Sequence, residues 1–298
     1  GSTHLVADMD GEIFLLASMT PAAASGTPCS DLSDPNEGWP ALLNHTSVDS
    51  DLIHGWAFTL KQPIGFADHG CQVVAAVDGH PVRSGTHSLR FEVRDGDCNS
   101  NLGWNDCTTD RSRHELSQAW KKNTQRGDPY HPNTDGDEYW YSWSMYLPDD
   151  VLVQGDSATF IGQFNSDNSA RFYLQDFAAG FGYTFNDRNY DLISQRVIQP
   201  NQTVRGTWTD IAMHVIWSTT RTGLIELYVN GEFLETLTGP NMDGATRTTF
   251  DIGIYNAFIS RCDCDTMPTQ VVYYDNLRRG LTLSDIHLPD QYMSVSSG

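Results

Sequence analysis

Residues 136–148 constrain the fold more than any other stretch. They read Gly-Asp-Glu-Tyr-Trp-Tyr-Ser-Trp-Ser-Met-Tyr-Leu-Pro. Aromatic side chains suit a pleated, packed surface, and here they fall on both faces of the strand period. That predicts a central strand covered on both sides, ended by Pro148. Residues 84–93 alternate more simply, with Leu89, Phe91 and Val93 inward and Ser88, Arg90 and Glu92 outward. Similar patterns predict strands at 52–58, 72–77, 111–116, 159–165, 170–175, 208–218, 224–229, 232–237, 249–258 and 270–277. Asn230-Gly231 marks a tight turn between two of them. Residues 114–124 read as a short helix or an irregular continuation, and 127–136 as loop. So many short strands with so little helix predict an all-β, antiparallel β-sandwich.

The stretch from Asp110 to Leu116 (Asp-Arg-Ser-Arg-His-Glu-Leu) does not suit a core. Five of its seven residues can carry charge, in a chain that is 19% charged. As a strand it puts Arg111, Arg113 and Glu115 on one face and Ser112, His114 and Leu116 on the other. Guanidinium groups fork carboxylates and carboxylates accept sugar hydroxyls, so this face suits the floor of a groove for an anionic, hydroxyl-rich ligand. The simpler reading is a solvated strand face with an Arg–Glu pair.

The formal charge of the 298 residues is −20, with 38 acidic against 18 basic side chains. Nucleic acid is therefore not expected as a partner, because phosphate binding needs a basic face. No apolar run is long enough to span a membrane. Six cysteines at irregular spacing suit disulfides in an oxidising compartment, so a secreted protein is expected. Cys98 and Cys107 bracket a polar loop and are expected to bond to each other. Cys262 and Cys264 stand too close to bridge comfortably, and each is expected to pair elsewhere. Zinc is the alternative use of the cysteines, weakened by the lack of a Cys-x-x-Cys pair. Asn44 and Asn201 head glycosylation sequons that only a eukaryotic host would use. The expected organisation is a flexible extension over 1–27, a remnant of leader or cloning sequence, then one domain over 28–290 and a tail over 291–298.

Two more strands carry polar residues on a shared face. In Phe160-Ile-Gly-Gln-Phe-Asn165, strict alternation groups Gln163 with Asn165 and sets Phe160 with Gly162 and Phe164. In Phe250-Asp-Ile-Gly-Ile-Tyr255, Tyr255 shares a face with Asp251 and Gly253. Guanidinium, amide and phenol on one sheet supply what elimination from a uronic acid needs. The carboxylate must be neutralised, the C5 proton removed and the leaving oxygen protonated.

Arg113-His-Glu-Leu116, Gly162-Gln-Phe-Asn165 and Gly253-Ile-Tyr255 resemble the three signature strands of jelly-roll polysaccharide lyases, written R-x-E-L, x-Q-x-H and x-G-x-Y. The stretches 88–93, 136–148, 225–231 and 273–280 are similar to the glucuronan lyase and heparin-lyase-like group, over about residues 50–285. The resemblance implies a β-jelly roll with a concave groove, and β-elimination from a uronic-acid polysaccharide. It implies that Arg113 and Gln163 neutralise the C5 carboxylate, that Tyr255 donates the proton, and that a histidine is the base. This chain departs at Asn165, where alginate-lyase-like relatives place that histidine. His114 and His214 are the remaining candidates for the base, and either also reads as a structural histidine. Strict alternation turns His114 away from Arg113 unless a bulge rotates it. Arg111, Glu115, Asn165, Arg171 and Tyr173 complete the expected substrate-binding set. No cofactor is expected for the chemistry. Asp275 is the expected ligand of a structural calcium ion of the kind relatives hold, against a simpler role as a turn cap. The expected partner is an anionic polysaccharide, and the expected state is a monomer. The competing readings are a glycoside hydrolase, which needs two carboxylates at a set separation, and a carbohydrate-binding module using Trp140, Tyr141 and Trp143.

Overall fold

The computed structural model describes residues 26–32, 51–149, 158–166, 171–187, 189–242 and 244–286, and the backbone of 4–7, 13–16, 42–43 and 169–170. In chain order the strands are β1 (His4–Ala7), β2 (Ile13–Leu16), β3 (Gly26–Pro28), β4 (Leu42–Leu43), β5 (Ile53–His54), β6 (Phe58–Leu60), β7 (Cys71–Ala75), β8 (His87–Val93), β9 (Arg111–Gln118) and β10 (Glu138–Tyr146). They continue with β11 (Ala158–Ser166), β12 (Ser169–Phe177), β13 (Gly180–Asn186), β14 (Leu192–Pro200), β15 (Trp208–Ile216), β16 (Leu224–Val229), β17 (Glu232–Thr238), β18 (Thr248–Ala257) and β19 (Gln270–Gly280).

Two sheets form the sandwich. One runs β17-β16-β15-β10-β19-β8-β7-β3, with β5 added in parallel to β19. The other runs β14-β13-β12-β11-β18-β9-β6-β4. The expected strands are present except over 52–58, which a turn at Gly55 (φ +70°) divides into β5 on one sheet and β6 on the other, and β10 is central, between β15 and β19. Its inward residues Tyr139, Tyr141, Trp143 and Met145 are buried as expected. On its other face Ser142 and Ser144 are buried, while Trp140 and Tyr146 stay half-exposed, so the second cover is partial. Sequence patterning gave no element over 178–207, where β13 and β14 lie. Glycines in β13 and the mostly exposed side chains of the edge strand β14 conceal the period. Residues 114–118 continue β9 and form no helix.

The core between the sheets is aromatic. Trp56, Tyr141, Trp143, Phe164, Trp217 and Phe250 pack there with ring centroids 4.6–6.5 Å apart, the spacing at which offset and edge contacts add to area burial. Two of its polar tips are satisfied in a chain, since Trp217 Nε1 donates to Tyr141 Oη and Tyr141 Oη to Asn133 Oδ1, whereas Trp56 Nε1 is buried without a partner among the described residues.

Disulfides join Cys29 to Cys71, Cys98 to Cys107 and Cys262 to Cys264. The first joins the residue after β3 to β7, beside the β3–β7 pairing, so Gly26 and Thr27, at the end of the stretch expected to be an extension, are part of a sheet. Among the described residues strands β1 and β2 pair only with each other, and Asn44 and residues 291–298 lie outside the described residues. The second pair is as expected. The third corrects the expectation. The chain bends at Asp263 and Cys264, and the two Cα atoms lie 5.2 Å apart, within disulfide reach.

Candidate active site

The register of β9, β18 and β11 assembles the site. Tyr255 lies opposite Arg113, Gly253 opposite Glu115 and Asp251 opposite Ser117. Gln163 on β11 lies opposite Asp251. Period-two geometry therefore sends Arg113, Glu115, Gln163, Asp251 and Tyr255 to the sheet face away from the core. The expected grouping of Arg113, Gln163 and Tyr255 is present. Gln163 Nε2 donates to Glu115 Oε1 at 2.6 Å, Arg113 Nη1 to Glu115 Oε2 at 3.2 Å, and the Arg113 guanidinium carbon lies 3.8 Å from the Tyr255 ring centroid.

Arg113 is not poised to neutralise a substrate carboxylate. It is 5% exposed, and its Nε and Nη2 fork Asp106 at 2.6 and 2.8 Å. Asp106 comes from the loop that the Cys98–Cys107 disulfide closes, and it also accepts from Trp104 Nε1. Burial works against the Arg113 charge, but Glu115 and Asp106 more than offset it and hold its pKa above the usual value. Arg113 is thus the cation at the centre of a buried pair, carrying Tyr255 on its flat face. Gln163 is 3% exposed and likewise spends its amide nitrogen on Glu115.

Arg111 takes the outward position instead. It is half-buried, and its Nε donates to the Tyr255 hydroxyl oxygen at 3.0 Å. Nη1 is fixed by the carbonyls of Thr109 and Asp110, the guanidinium carbon lies 4.3 Å from the Phe258 ring centroid, and Nη2 has no hydrogen-bond partner among the described residues.

One departure from strict alternation enlarges the site. The β11–β18 register shifts between Phe160 and Gly162. Phe160 therefore joins Gln163 on the outward face, stacking on Tyr255 at 5.5 Å and packing on Tyr173 at 4.7 Å, while Phe164 stays in the core. The freed carbonyl of Ile161 accepts from the buried Tyr274 hydroxyl of the opposite sheet. Bulges leave such groups in need of partners. Gly253 does not open space for substrate. At φ +130° its absent Cβ would lie 2.2 Å from the His114 carbonyl oxygen and 2.9 Å from Phe91, so the space belongs to β9 and the core.

The remaining expected residues divide. Tyr173 lines the site beside Phe160, its pKa raised by burial and by the neighbouring phenols of Tyr190 and Tyr255. Arg171 donates to the Asp187 carbonyl, with its guanidinium 6.0 Å from the Tyr190 ring. Asn165 sits farther along the same face, its Oδ1 buried without a partner among the described residues. His114 turns to the core as alternation requires, with no bulge to rotate it. Nδ1 bonds the Glu92 carbonyl at 2.7 Å, the ring packs on Phe66 and His69, and burial lowers its pKa. His214 is on the other sheet, stacked on Trp140 at 4.4 Å and bonded to Glu138 and Glu226. Neither histidine reaches Tyr255. Asp275, also in the other sheet, accepts from the backbone N–H groups of Arg83, Ser84 and Asn276, and burial pushes its pKa up to about 6. A carboxylate ringed by N–H donors does not fit a calcium site, which needs oxygen ligands on every side. Sequence reasoning missed Lys61, Asp106 and Phe160. Lys61 Nζ pairs with Asp251 and lies 4.0 Å from Glu115. The one available signal was an acidic residue inside a loop bracketed by two cysteines.

The profile of the polysaccharide lyase family matches residues 53–278. The chain belongs to that family. The lyase is similar in fold to the endo-β-1,4-glucuronan lyase of the fungus Trichoderma reesei, with 16% identity over 76% of this chain and 92% of that one, at a TM-score of 0.52. It is more distantly similar to the alginate lyase of Klebsiella pneumoniae, with 12% identity over 66% and 82% and a TM-score of 0.47. No curated protein sequence matches it. The family assignment sets aside the hydrolase and binding-module readings, and no helix among the described residues of the lyase is long and apolar enough to cross a membrane.

Proposed function

We propose that this lyase is a secreted, monomeric enzyme that cleaves a glucuronan-like polysaccharide by syn β-elimination, with Tyr255 as both base and acid. The observation that carries the reading is the Tyr255 hydroxyl, held by Arg111 Nε at 3.0 Å with no histidine beside it. In a glucuronate the C5 hydrogen and the C4 oxygen lie on the same side of the ring, so one side chain can serve both. In its phenolate form the Tyr255 oxygen takes the C5 proton, the C–H electrons form the C4–C5 double bond, the C4–O4 bond breaks with its electrons on O4, and the phenol so formed gives the proton to O4, which restores the phenolate. Arg111 Nε donates to the Tyr255 oxygen and so stabilises its phenolate form, and we assign Nη2 to the substrate carboxylate. The amide of Asn165 cannot act as a base, which counts against a two-sided, His-and-Tyr elimination. Three disulfides support an oxidising destination. The Trichoderma enzyme's substrate agrees with this reading, although a likeness at 16% identity speaks only for fold.

The test is ultraviolet absorbance of the unsaturated uronate formed from glucuronan. Tyr255→Phe keeps the ring stacked between Phe160 and Arg113 and removes only the hydroxyl. Its kcat should fall at least about a hundredfold with an unchanged melting temperature. A Tyr255→Phe enzyme that retains most of its turnover would refute the assignment.

A further inference from the structure

Four cationic side chains converge beyond the Tyr255 site, on the same sheet face. Lys61, Lys121, Lys122 and Arg247 line a cavity of about 540 Å³ whose floor includes Asn165 and Asp251. The chain carries net charge −20 and has only these three lysines. All three open into this one cavity. In so acidic a protein, gathering the lysines creates a local positive field against an unfavourable background. The one carboxylate in the lining, Asp251, is held by Lys61 and by Ser117 Oγ.

Two of the cations are steadied by aromatic rings. Lys121 Nζ lies 3.9 Å from the Tyr130 ring centroid, and the Arg247 guanidinium 4.3 Å from that of Trp120. Such contacts restrain long side chains in place, so binding costs less ordering. Trp120 is 39% exposed and offers a flat apolar surface beside the charges. Asn165 Oδ1, buried and unpartnered among the described residues, is an acceptor for a hydroxyl. Charge, flat ring and amide together match an acidic sugar. Asp251 lies four residues from Tyr255 on β18, about 13 Å at the rise of a strand. That exceeds one sugar ring, so the cavity meets a residue remote from the bond that breaks.

We propose that this cavity is a second subsite, which binds the carboxylate of a uronate residue away from the scissile bond and so favours long, fully acidic chains. The inference rests on the lyase reading above for the identity of the sugar. Lysines present point charges without a fork, suited to a carboxylate whose orientation varies along a flexible polymer.

The test compares the protein with its Lys121→Ala/Lys122→Ala variant by calorimetric titration of glucuronate oligomers. Binding of the hexamer should weaken about tenfold, the sum expected of two exposed charge contacts. The dimer should lose less, and the salt dependence of hexamer binding should become shallower. Unchanged hexamer affinity and salt dependence would overturn the proposal. So would an equal loss for the neutral cello-hexamer, or a starting protein that binds no uronate oligomer. Lysine-dependent binding without any ultraviolet product would leave the subsite standing and remove the eliminative reaction. Elimination with lysine-independent binding would do the reverse.

Discussion

The assignment of Arg113 to the scaffold makes a prediction that separates it from a substrate-binding role. Asp106 is fully buried and accepts from Arg113 Nε at 2.6 Å, Arg113 Nη2 at 2.8 Å and Trp104 Nε1 at 2.8 Å. Asp106→Ala removes all three bonds and leaves a guanidinium that is 5% exposed. Breaking a buried pair from one side costs about 3–5 kcal/mol. Glu115 remains on Nη1 at 3.2 Å, so the lower end, about 3 kcal/mol, applies. For a chain of this size that lowers the melting temperature by about 10 °C. Asp106→Asn keeps an acceptor and should cost less. Because Arg113 carries the Tyr255 ring, kcat should fall along with stability. Thermal denaturation beside steady-state rates on glucuronan reads both. If Arg113 were instead the carboxylate ligand, freeing it from Asp106 would lower KM and leave the melting temperature unchanged. That outcome would refute the scaffold role.

Gly253→Ala should destabilise the fold by roughly 2 kcal/mol or more, because positive φ and the His114 carbonyl both oppose a Cβ; a circular-dichroism melt matching that of the unaltered protein would contradict this. The Cys29–Cys71 bond closes a 42-residue separation and should contribute about 4 kcal/mol in the chain-entropy account, whereas Cys262–Cys264, across two residues, should contribute about 1 kcal/mol. Paired Cys→Ser variants melted side by side should therefore differ by several degrees, and equal losses would count against that account.

What was legible in the sequence follows the strand period. Alternation within β9 placed Arg111, Arg113 and Glu115 together and His114 opposite, and the structure agrees because no bulge interrupts that strand. Gln163 and Tyr255 joined them through the order of the signature stretches. The failures came where contact is made through long-range partners. The bulge after Phe160 depends on a hydroxyl from Tyr274 on the other sheet. Arg113 is neutralised by Asp106, which reaches it only because a disulfide folds the intervening loop back. A pattern of period two has no information about either. Nor does it show that at Gly253 the place of a side chain is taken by the neighbouring backbone.

The charge count beneath Tyr255 leads to one more consequence. Asp106, Glu115 and Asp251 are all buried within the cluster, against Arg113 and Lys61. Three carboxylates face two cations in a place that water does not screen, so one carboxyl is driven toward its neutral form. Burial raises the pKa of Glu115, with Lys61 and Arg113 only partly restoring the charge. The sign of its contribution follows. A carboxyl whose pKa is raised by folding holds a proton that the unfolded chain has released, so stability falls as pH rises above the ordinary glutamate value of about 4.5. Glu115→Gln has the shape of the neutral form without the titration. It should therefore cost most near pH 4.5 and progressively less toward pH 8, where the unaltered protein bears an extra buried charge. Glu115→Ala should be destabilised at every pH, because Gln163 and Arg113 lose their shared acceptor. Melting temperatures of the three proteins between pH 4.5 and 8 measure this. A Glu115→Gln deficit that grows with pH would show that Glu115 is ionised in the fold, and the cluster would then need a cation from outside it.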